Sequence, residues 1–518
     1  MRKYIYFTVF VSGMTTLAAE LSASRLIGNV FGTSNLVWAA IIGLMLLYLT
    51  LGYTLGGKQA DKSPHAKNMY KVLAWGAFTL GIVPYIASPV LRAAATAFDG
   101  LQVSIMMGAF AAVLVLFSVP ITLLGMISPY AIRLSMDDTE RAGKISGNIY
   151  AISTLGSFLG TYLPILVLIP SIGTTNTFLV FSLLLLFVAL LGMYKSAGKG
   201  ATLPYLLMVV AIALLAIFNG GRGIKKTAGQ IYETESAYNY IEVLQRGEET
   251  HLRLNDGQGV HSIYDPNNLD YDGPWSQFLV GPFFNTPPNK IDDVKRIAVV
   301  GLAAGTFAQQ ATAVYGEIPI DGYEIDPKII EVGNDYFGMD KLDNLNAYAE
   351  DGRWGLAHSP HLYDIIAVDA YRPPYIPWHM TTLEFFEIAH ARLSPTGVLT
   401  INVGRLPGDR RLINAMATTI AQTFPSVYVM DIPYTLNSII YATKQPTNED
   451  FLYENFILLT ENKDAHPLLV DAVQTTWIYR QSGYETSTIF TDDKAPIEWI
   501  TNDMILGFML GGDVESLQ

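Results

Sequence analysis

The chain contains no cysteine among its 518 residues. Disulfide bonds and thiolate metal sites are therefore excluded, because both are formed by the cysteine sulfur. The absence does not identify a redox compartment, since proteins on either side of a membrane can lack cysteine. Histidine is also scarce: the eight histidines show no H-E-x-x-H or similar spacing, so we expect no catalytic metal.

Charged residues make up only 15% of the chain, against 50% hydrophobic residues, and the mean hydropathy is +0.29. This composition predicts that a large part of the chain lies in a lipid bilayer, and the length exceeds one ordinary domain. The net charge of −13 disfavours nucleic acid as a partner. It would suit a cationic substrate, although solvation of an acidic surface is the commoner reason for such a charge.

Seven apolar segments are long enough to cross a bilayer as helices, which takes about 20 residues each. They lie at residues 4–29, 35–57, 70–91, 103–128, 145–169, 174–194 and 203–219. The first carries Glu20 and Arg25 and is followed at once by another span, so we interpret it as a retained helix and not as a cleaved signal peptide. The sequence therefore predicts an α-helical transmembrane bundle over residues 1–219.

Three features inside the predicted spans have a packing interpretation. We expect Glu20 to hydrogen-bond a neighbouring helix and Arg25 to reach the interface, with a transport or ligand role as the alternative. Gly156 and Gly160 form a small-xxx-small motif, which lets two helices approach closely. We therefore predict that these two glycines lie at a helix–helix contact.

Lysine and arginine collect in alternate loops, which the positive-inside rule assigns to the cytoplasm. This set comprises Arg2, Lys3, Lys58, Lys62, Lys67, Lys71, Arg133, Arg141, Lys144, Lys195 and Lys199. Seven spans would place everything after Phe218 outside the cytoplasm, whereas the basic residues directly after the last span favour the inside. We predict a multi-pass cell-membrane protein and lean narrowly to an extracytoplasmic second half. A re-entrant segment around Pro84, Pro89 and Pro120 is the alternative.

The composition changes after Phe218. Residues 220–230 form a Gly- and Lys-rich linker, and residues 231–285 show strand alternation with turn signals, which predicts a small β-hairpin domain. Strands then alternate with helices over residues 290–500, which is typical of an α/β Rossmann-like, methyltransferase-type domain with a parallel sheet. Residues 501–518 remain as a C-terminal tail.

The most informative stretch is residues 294–326. Residues 297–300 form a β-branched run typical of a buried parallel strand, and Gly301 and Gly305 allow a tight turn into a helix. A second strand delivers Glu324 and Asp326 about 20 residues after the glycines, where a carboxylate can accept hydrogen bonds from ribose hydroxyls. The sequence predicts a nucleoside-binding half-site.

Two further predicted strands end in polar groups. Asp351 and Gly352 lie in the run Y-A-E-D-G-R at residues 348–353, and Asp369 closes the apolar run 365–368. Because parallel strands end at the same edge of a sheet, we expect these side chains to converge on one crevice with Glu324.

These motifs resemble the polyamine aminopropyltransferases (spermidine and spermine synthases), which share the fold of S-adenosylmethionine-dependent methyltransferases. The resemblance covers residues 231–498 and includes E-S-x-Y at 235–238, E-I-D at 324–326, D-G-R at 351–353 and Y-D-x-I-x-x-D-A at 363–370. Residues 147–156 and a T-D-D-x-x-P-x-E ending at 491–498 resemble a branch in which a multi-helix bundle is fused to a spermidine synthase domain.

The resemblance implies a role for several residues. Glu324 would hold the ribose, Asp351 the adenine amino group, and Asp369 would accept a proton from the attacking amine. Tyr238 and Gln258 would lie near the pocket as substrate residues. The implied co-substrate is decarboxylated S-adenosylmethionine or S-adenosylmethionine itself, with an amine as acceptor and no metal, and a homodimer is left open.

Two of the positions that depart from the family bear on the substrate. Ala304 stands where the soluble enzymes carry an Asp that contacts the donor's amino group, and Arg372 stands where they carry the second Asp of a D-x-x-D element. A guanidinium repels a polyamine but suits a carboxylate or phosphate, so we count Arg372 as a substrate residue.

Three interpretations follow. The first is an aminopropyltransferase with altered acceptor contacts. The second is an S-adenosylmethionine-dependent enzyme of another class, in which Arg353 or Arg372 binds the methionine carboxylate. The third is a non-enzymatic nucleoside-binding membrane module.

Overall fold

The computed structural model describes residues 2–31, 35–99, 105–136, 141–219, 227–255, 259–371 and 375–511. Contacts divide the chain into two compact units. The helical unit comprises Met1–Thr227, Glu233–Tyr240 and Asn255–Gly257. The Rossmann unit comprises Ala228–Tyr232, Ile241–Leu254 and Gln258–Gln518.

The helical unit consists of apolar helices. In its described part these are α1 (Arg2–Phe31), α2 (Asn35–Lys62), α3 (Ala66–Asp99), α4 (Ile105–Gly125), α5 (Ile127–Ser135), α6 (Ala142–Leu163), α7 (Ile169–Ala197), α8 (Lys199–Thr202) and α9 (Leu206–Asn219). A π-helical turn, Pro164–Leu168, joins α6 to α7.

Six helical segments within the described ranges are long and apolar enough to cross a membrane. They are Arg2–Phe31, Val37–Lys62, Ala66–Leu91, Met107–Ser135, Ala142–Ala197 and Lys199–Phe218. The fifth has 56 residues and contains both of the predicted spans 145–169 and 174–194. Its backbone leaves the helical conformation at Gly173 (φ 79°, ψ 166°). Because one crossing takes about 20 residues, this segment is long enough for two, and the count of seven spans stays a prediction.

A re-entrant segment around Pro84, Pro89 and Pro120 was the alternative to seven spans, and the helices are continuous through all three prolines. Helix α3 runs through Pro84 and Pro89, and α4 runs through Pro120. A proline in a helix interior removes one backbone hydrogen bond and bends the helix, but neighbouring helices can compensate for that loss in a membrane bundle.

Close packing of α1 against α6 confirms the prediction for the two glycines. A Cβ atom at Gly156 would lie 2.0 Å from the carbonyl oxygen of Phe10, and one at Gly160 would lie 2.0 Å from that of Met14. The Ser157 hydroxyl donates a hydrogen bond to the Gly13 carbonyl at 3.2 Å in the same contact. Only glycine allows the two backbones to touch here.

The two charged residues of α1 differ in their contacts. The Arg25 guanidinium donates hydrogen bonds to the carbonyl oxygens of Ala237 and Tyr238, the latter at 3.0 Å. No hydrogen-bond partner of the Glu20 side chain is found among the described residues, so the expected bond to a neighbouring helix is not seen there.

A four-stranded sheet precedes the nucleoside-binding motifs. Its strands are β1 (Gln230–Glu235), β2 (Tyr240–Arg246), β3 (Glu249–Leu254) and β4 (Val260–Tyr264), in that order across the sheet. The pairs β2–β3 and β3–β4 are antiparallel. The turn that joins β2 to β3 contains Gly247, which has φ 64°.

The Rossmann unit contains a seven-stranded mixed sheet in the order β10-β11-β9-β8-β5-β6-β7. The strands are β5 (Ile297–Val300), β6 (Ile320–Glu324), β7 (Leu345–Ala349), β8 (Tyr363–Val368), β9 (Leu393–Gly404), β10 (Ser426–Asp431) and β11 (Asn437–Thr443). The pairs formed among β5 to β9 are all parallel, whereas β11 is antiparallel to both β9 and β10.

Helices alternate with these strands, as predicted. They are α10 (Trp275–Phe278), α11 (Thr306–Tyr315), α12 (Pro327–Tyr336), α13 (Gly352–His358), α14 (Leu383–Arg392), α15 (Arg411–Ile420), α16 (Asp450–Glu461), α17 (Pro467–Tyr479) and α18 (Ile497–Gly511). Helix α18 runs across the predicted domain end at residue 500.

The core lies on both faces of the central strand. All four residues of β5 are buried, with Ile297 and Val299 in one apolar cluster and Ala298 and Val300 in another. Successive side chains of a strand point to opposite faces, so a continuous apolar run is what a strand covered on both sides requires.

Candidate active site

The site is built around the carboxyl end of β5. In the register of the sheet Val300 pairs with Tyr323 of β6 on one side and with Val368 of β8 on the other. Glu324 and Asp369, one residue further along their strands, therefore lie on either side of the turn that begins at Gly301. This is the edge where doubly wound sheets bind ligands.

The two predicted glycines have conformations that favour glycine. Gly301 has φ 90°, and a Cβ atom there would lie 2.6 Å from the Asp369 carbonyl oxygen. Gly305 has φ 86° and begins α11. Gly301 lets the backbone pass close to the end of β8, and Gly305 allows the left-handed turn into α11, beside the Met339 side chain. This is the geometry that a bound nucleoside needs.

Glu324 is buried, and its carboxylate holds the glycine turn. One oxygen accepts the backbone N–H of Ala303 at 3.0 Å, and the other accepts that of Asp326 at 3.1 Å. Each carboxylate oxygen has two lone pairs, so Glu324 can also accept hydrogen bonds from a ligand hydroxyl. Burial raises the pKa of Glu324 to about 7, against the lowering effect of these two hydrogen bonds.

Strand β4 is hydrogen-bonded to the same turn. The Ala304 N–H donates to the Ser262 hydroxyl at 2.9 Å, and the Thr306 hydroxyl donates to the Ile263 carbonyl at 2.8 Å. Ala304 stands at the position where the resembled family carries an aspartate. Its side chain is only a methyl group, and its backbone N–H is hydrogen-bonded to β4.

Asp351 is placed by the start of α13 and by a histidine from another loop. Its side chain accepts the Trp354 N–H at 3.0 Å, which caps the helix, and its other oxygen lies 3.0 Å from Nε2 of His379. The hydrogen bond from His379 is the main reason why the pKa of Asp351 is lowered. The next residue, Gly352, has no room for a side chain, because a Cβ there would lie 2.6 Å from Val300 Cγ1.

Arg353 is held by the C-terminal motif. Its guanidinium donates to both oxygens of Asp492 at 2.7 Å each, and to the His379 carbonyl at 2.8 Å. The Thr382 hydroxyl donates to Asp492 at 2.7 Å. The T-D-D-x-x-P-x-E ending thus joins the D-G-R motif to the loop that carries His379.

Asp369 follows β8, and its backbone N–H donates to the Val300 carbonyl at 2.8 Å. The Asn402 amide donates to its carboxylate at 2.9 Å. Burial raises the pKa of Asp369 to about 6, and the bond from Asn402 opposes this rise. The buried Oδ1 atom of Asn402 has no hydrogen-bond partner within the described residues. An orphaned acceptor beside a carboxylate is suited to an N–H donor of a ligand.

The remaining predicted residues lie elsewhere or outside the description. The Asp326 side chain accepts the Lys328 N–H at 3.0 Å and caps α12, so its predicted ribose contact stays a prediction. Tyr238 lies in the loop after β1, within the helical unit, where the Ser236 hydroxyl accepts its N–H at 3.0 Å. Gln258 and Arg372 lie outside the described residues.

Three site residues were missed by sequence reasoning: His379, Asn402 and Asp492. Asn402 lies in the buried part of β9, two residues before the strand ends, and a polar residue close to the end of a buried strand is the signal that identified Asp369. His379 has no comparable local signal.

No protein-family model matches the chain. A probable polyamine aminopropyl transferase of Bifidobacterium longum is 31% identical over 284 residues, which is 52% of this chain and 61% of that protein. A polyamine aminopropyltransferase of Vibrio vulnificus is 27% identical over 236 residues, covering 44% of this chain and 74% of that protein. A crystal structure of a probable spermidine synthase from Corynebacterium glutamicum aligns with a TM-score of 0.39 at 18% identity, covering 51% of this chain and 97% of that chain.

The sheet order and the carboxylates at its edge define a Rossmann-like domain of the methyltransferase type. The sequence relatives agree with the resemblance seen in the motifs: about half of the chain is similar to proteins named polyamine aminopropyltransferase.

Proposed function

We propose that the protein is a membrane-bound, aminopropyltransferase-like enzyme that transfers a group from an adenosyl-sulfonium donor to an amine. The observation that carries the proposal is the placement of Glu324 and Asp369 on either side of the glycine turn, with Asn402 bonded to Asp369. The names of the sequence relatives support the same reaction.

Two carboxylates bind the nucleoside part of the donor in this proposal. Glu324 accepts hydrogen bonds from the ribose hydroxyls, and Asp351, fixed by His379, accepts one from the adenine amino group. These contacts orient the donor so that the carbon beside its sulfonium faces Asp369. The glycine turn permits this close approach, because a Cβ at Gly301 would fill the space.

The transfer is a displacement at that carbon. The lone pair of a neutral amine forms the new C–N bond, the C–S bond breaks, and its electrons neutralise the sulfonium to a thioether. The amine proton passes to Asp369, which is deprotonated above about pH 6. The orphaned Asn402 oxygen accepts a second N–H of the amine and aligns it.

Decarboxylated S-adenosylmethionine is the donor that this proposal favours. The Arg353 guanidinium is bonded to both oxygens of Asp492 and is not free to bind a methionine carboxylate. The second candidate is an S-adenosylmethionine-dependent enzyme acting on a non-polyamine substrate. The alanine at position 304 favours it, because the family's aspartate for the donor amino group is missing.

The released nucleoside distinguishes these candidates. The purified full-length protein is incubated with each donor and a panel of diamines and polyamines, and the products are separated by chromatography. Amine-dependent release of methylthioadenosine from the decarboxylated donor supports the proposal. Turnover of S-adenosylmethionine alone supports the second candidate, and binding of both donors without any product supports a nucleoside-binding module.

A further inference from the structure

A groove of about 440 Å³ opens in the helical unit between α2, α3, α4 and the segment before α9. Its lining includes Gln59, Asn68 and Lys71 at one end and Trp75, Val119 and Leu123 along the other. The volume lies within the range of about 300–1,000 Å³ that is usual for small-molecule sites. Nothing in the proposed reaction uses this groove, because all of its residues belong to the helical unit.

The groove changes from polar to apolar along α3. Lys71, Trp75 and Thr79 are four residues apart, so they lie on one face of the helix and span about 12 Å along its axis. Lys71 stands nearest the start of the helix, and Trp75 and Val119 are exposed, at 48% and 54%. A ligand lying along this face would meet a cation first and apolar side chains afterwards.

The cationic end is not neutralised by the protein. No salt-bridge or hydrogen-bond partner of the Lys71 ammonium group or of the Gln59 side-chain amide is found in the described ranges. The nearby Asp61 carboxylate is paired with Arg133 at 3.2 Å. Lys71 is the one charged residue among those that line the groove, so this end of the groove carries a positive charge.

We propose that the groove binds an anionic glycerophospholipid. Its phosphate would lie against Lys71 and the Gln59 amide, and the upper part of an acyl chain would follow Trp75, Val119 and Leu123. A basic site between membrane helices attracts anionic headgroups, and tryptophan is enriched at the membrane interface. A free phosphate would use only the polar end and leave the apolar wall exposed.

Native mass spectrometry of the full-length protein, titrated with phosphatidylglycerol or phosphatidylcholine of the same acyl chains, tests this. We expect one tight site for phosphatidylglycerol. Lys71→Gln should weaken it about fivefold, since one lysine near a lipid headgroup contributes about 1 kcal/mol. Leu123→Trp keeps the charge but fills the apolar end, and should also weaken binding. Lys62→Gln is the matched control, because Lys62 is exposed and does not line the groove.

Three results would overturn the proposal. Equal weakening by Lys62→Gln and Lys71→Gln would mean attraction to a basic surface. Equal affinity for both lipids would mean that the groove accepts acyl chains without regard to charge. Displacement of the lipid by millimolar inorganic phosphate, with Leu123→Trp unaffected, would mean a phosphate site. A thermal-unfolding scan of each variant shows that it is folded.

Discussion

Asn402 donates its side-chain amide to the Asp369 carboxylate over 2.9 Å, although 33 residues separate them in the chain. Asn402 lies within β9, one residue after Ile401, and Asp369 follows β8, one residue after Val368. The parallel pairing of Val368 with Ile401 brings Asp369 and Asn402 together. This contact lowers the pKa of Asp369, which burial otherwise raises, and so sets the pH range in which Asp369 can act as a base.

Asp369→Asn is expected to remove most turnover and leave donor binding nearly unchanged. The amide has the same shape but cannot take the amine proton, and general-base catalysis contributes about 10²–10⁴-fold. Single-turnover rates with the accepting amine, together with calorimetric donor affinity, separate the two effects. Wild-type rates in this variant would assign the base to another group.

The acidic limb that Asp369 gives to the wild-type activity is expected to have its midpoint near pH 6, because only the deprotonated Asp369 accepts a proton. Measurement at saturating donor separates this limb from the effect of Glu324 on donor binding. Asn402→Leu removes the donor that stabilises the carboxylate. The pKa of Asp369 should then increase, and the acidic limb of the kcat/KM profile should move to higher pH. Asn402→Gln keeps the amide and should restore the limb at least in part. An unmoved limb in Asn402→Leu would show that this bond does not tune the base.

Glu324→Gln is expected to weaken methylthioadenosine binding by about 1.5–3 kcal/mol, since it removes a charged acceptor for the ribose hydroxyls. Burial raises the pKa of Glu324 to about 7, so the charged form increases between about pH 6 and 8. Wild-type affinity should therefore increase over that interval, and the variant should show no such increase. Calorimetry at three pH values measures both, and unchanged affinity in the variant would contradict the assignment.

His379→Phe is expected to reduce nucleoside affinity about fivefold, because the loss of one hydrogen bond to Asp351 corresponds to about 1 kcal/mol. The pKa of Asp351 should rise towards its ordinary value, since His379 is the main cause of its lowering. His361→Phe is the control, as His361 is exposed. The acidic limb set by Asp369 should stay in place in both variants, and a moved limb would instead indicate a rearranged site.

Labelling of single introduced cysteines can show on which side of the membrane the Rossmann unit lies. The chain has no cysteine of its own, so each label reports one position. We expect a membrane-impermeant maleimide to label Asn267→Cys on intact cells and to spare Lys62→Cys. Labelling of Lys62→Cys after permeabilisation is the control. If neither is labelled on intact cells, both lie inside and the number of spans is even.

The local pattern of the sequence determined the central strand, the glycine turn and the identity of Glu324 and Asp369 as strand-end carboxylates. These features depend on neighbours within a few residues: β5 is a short apolar run, and the turn needs glycines with positive φ. The close contact at Gly156 and Gly160 was also predictable from local sequence. Two glycines four residues apart leave one face of the helix without side chains, and such a face allows another helix to approach closely.

Only the tertiary structure placed Asn402 beside Asp369, His379 beside Asp351 and Asp492 beside Arg353. These pairs are separated by 33, 28 and 139 residues, and no periodicity relates residues so far apart. Their meeting depends on the order of strands in the sheet and on the path of the loops between them. Hydrogen bonds of this kind act over about 3 Å, so the partners of each carboxylate are decided by the folded backbone.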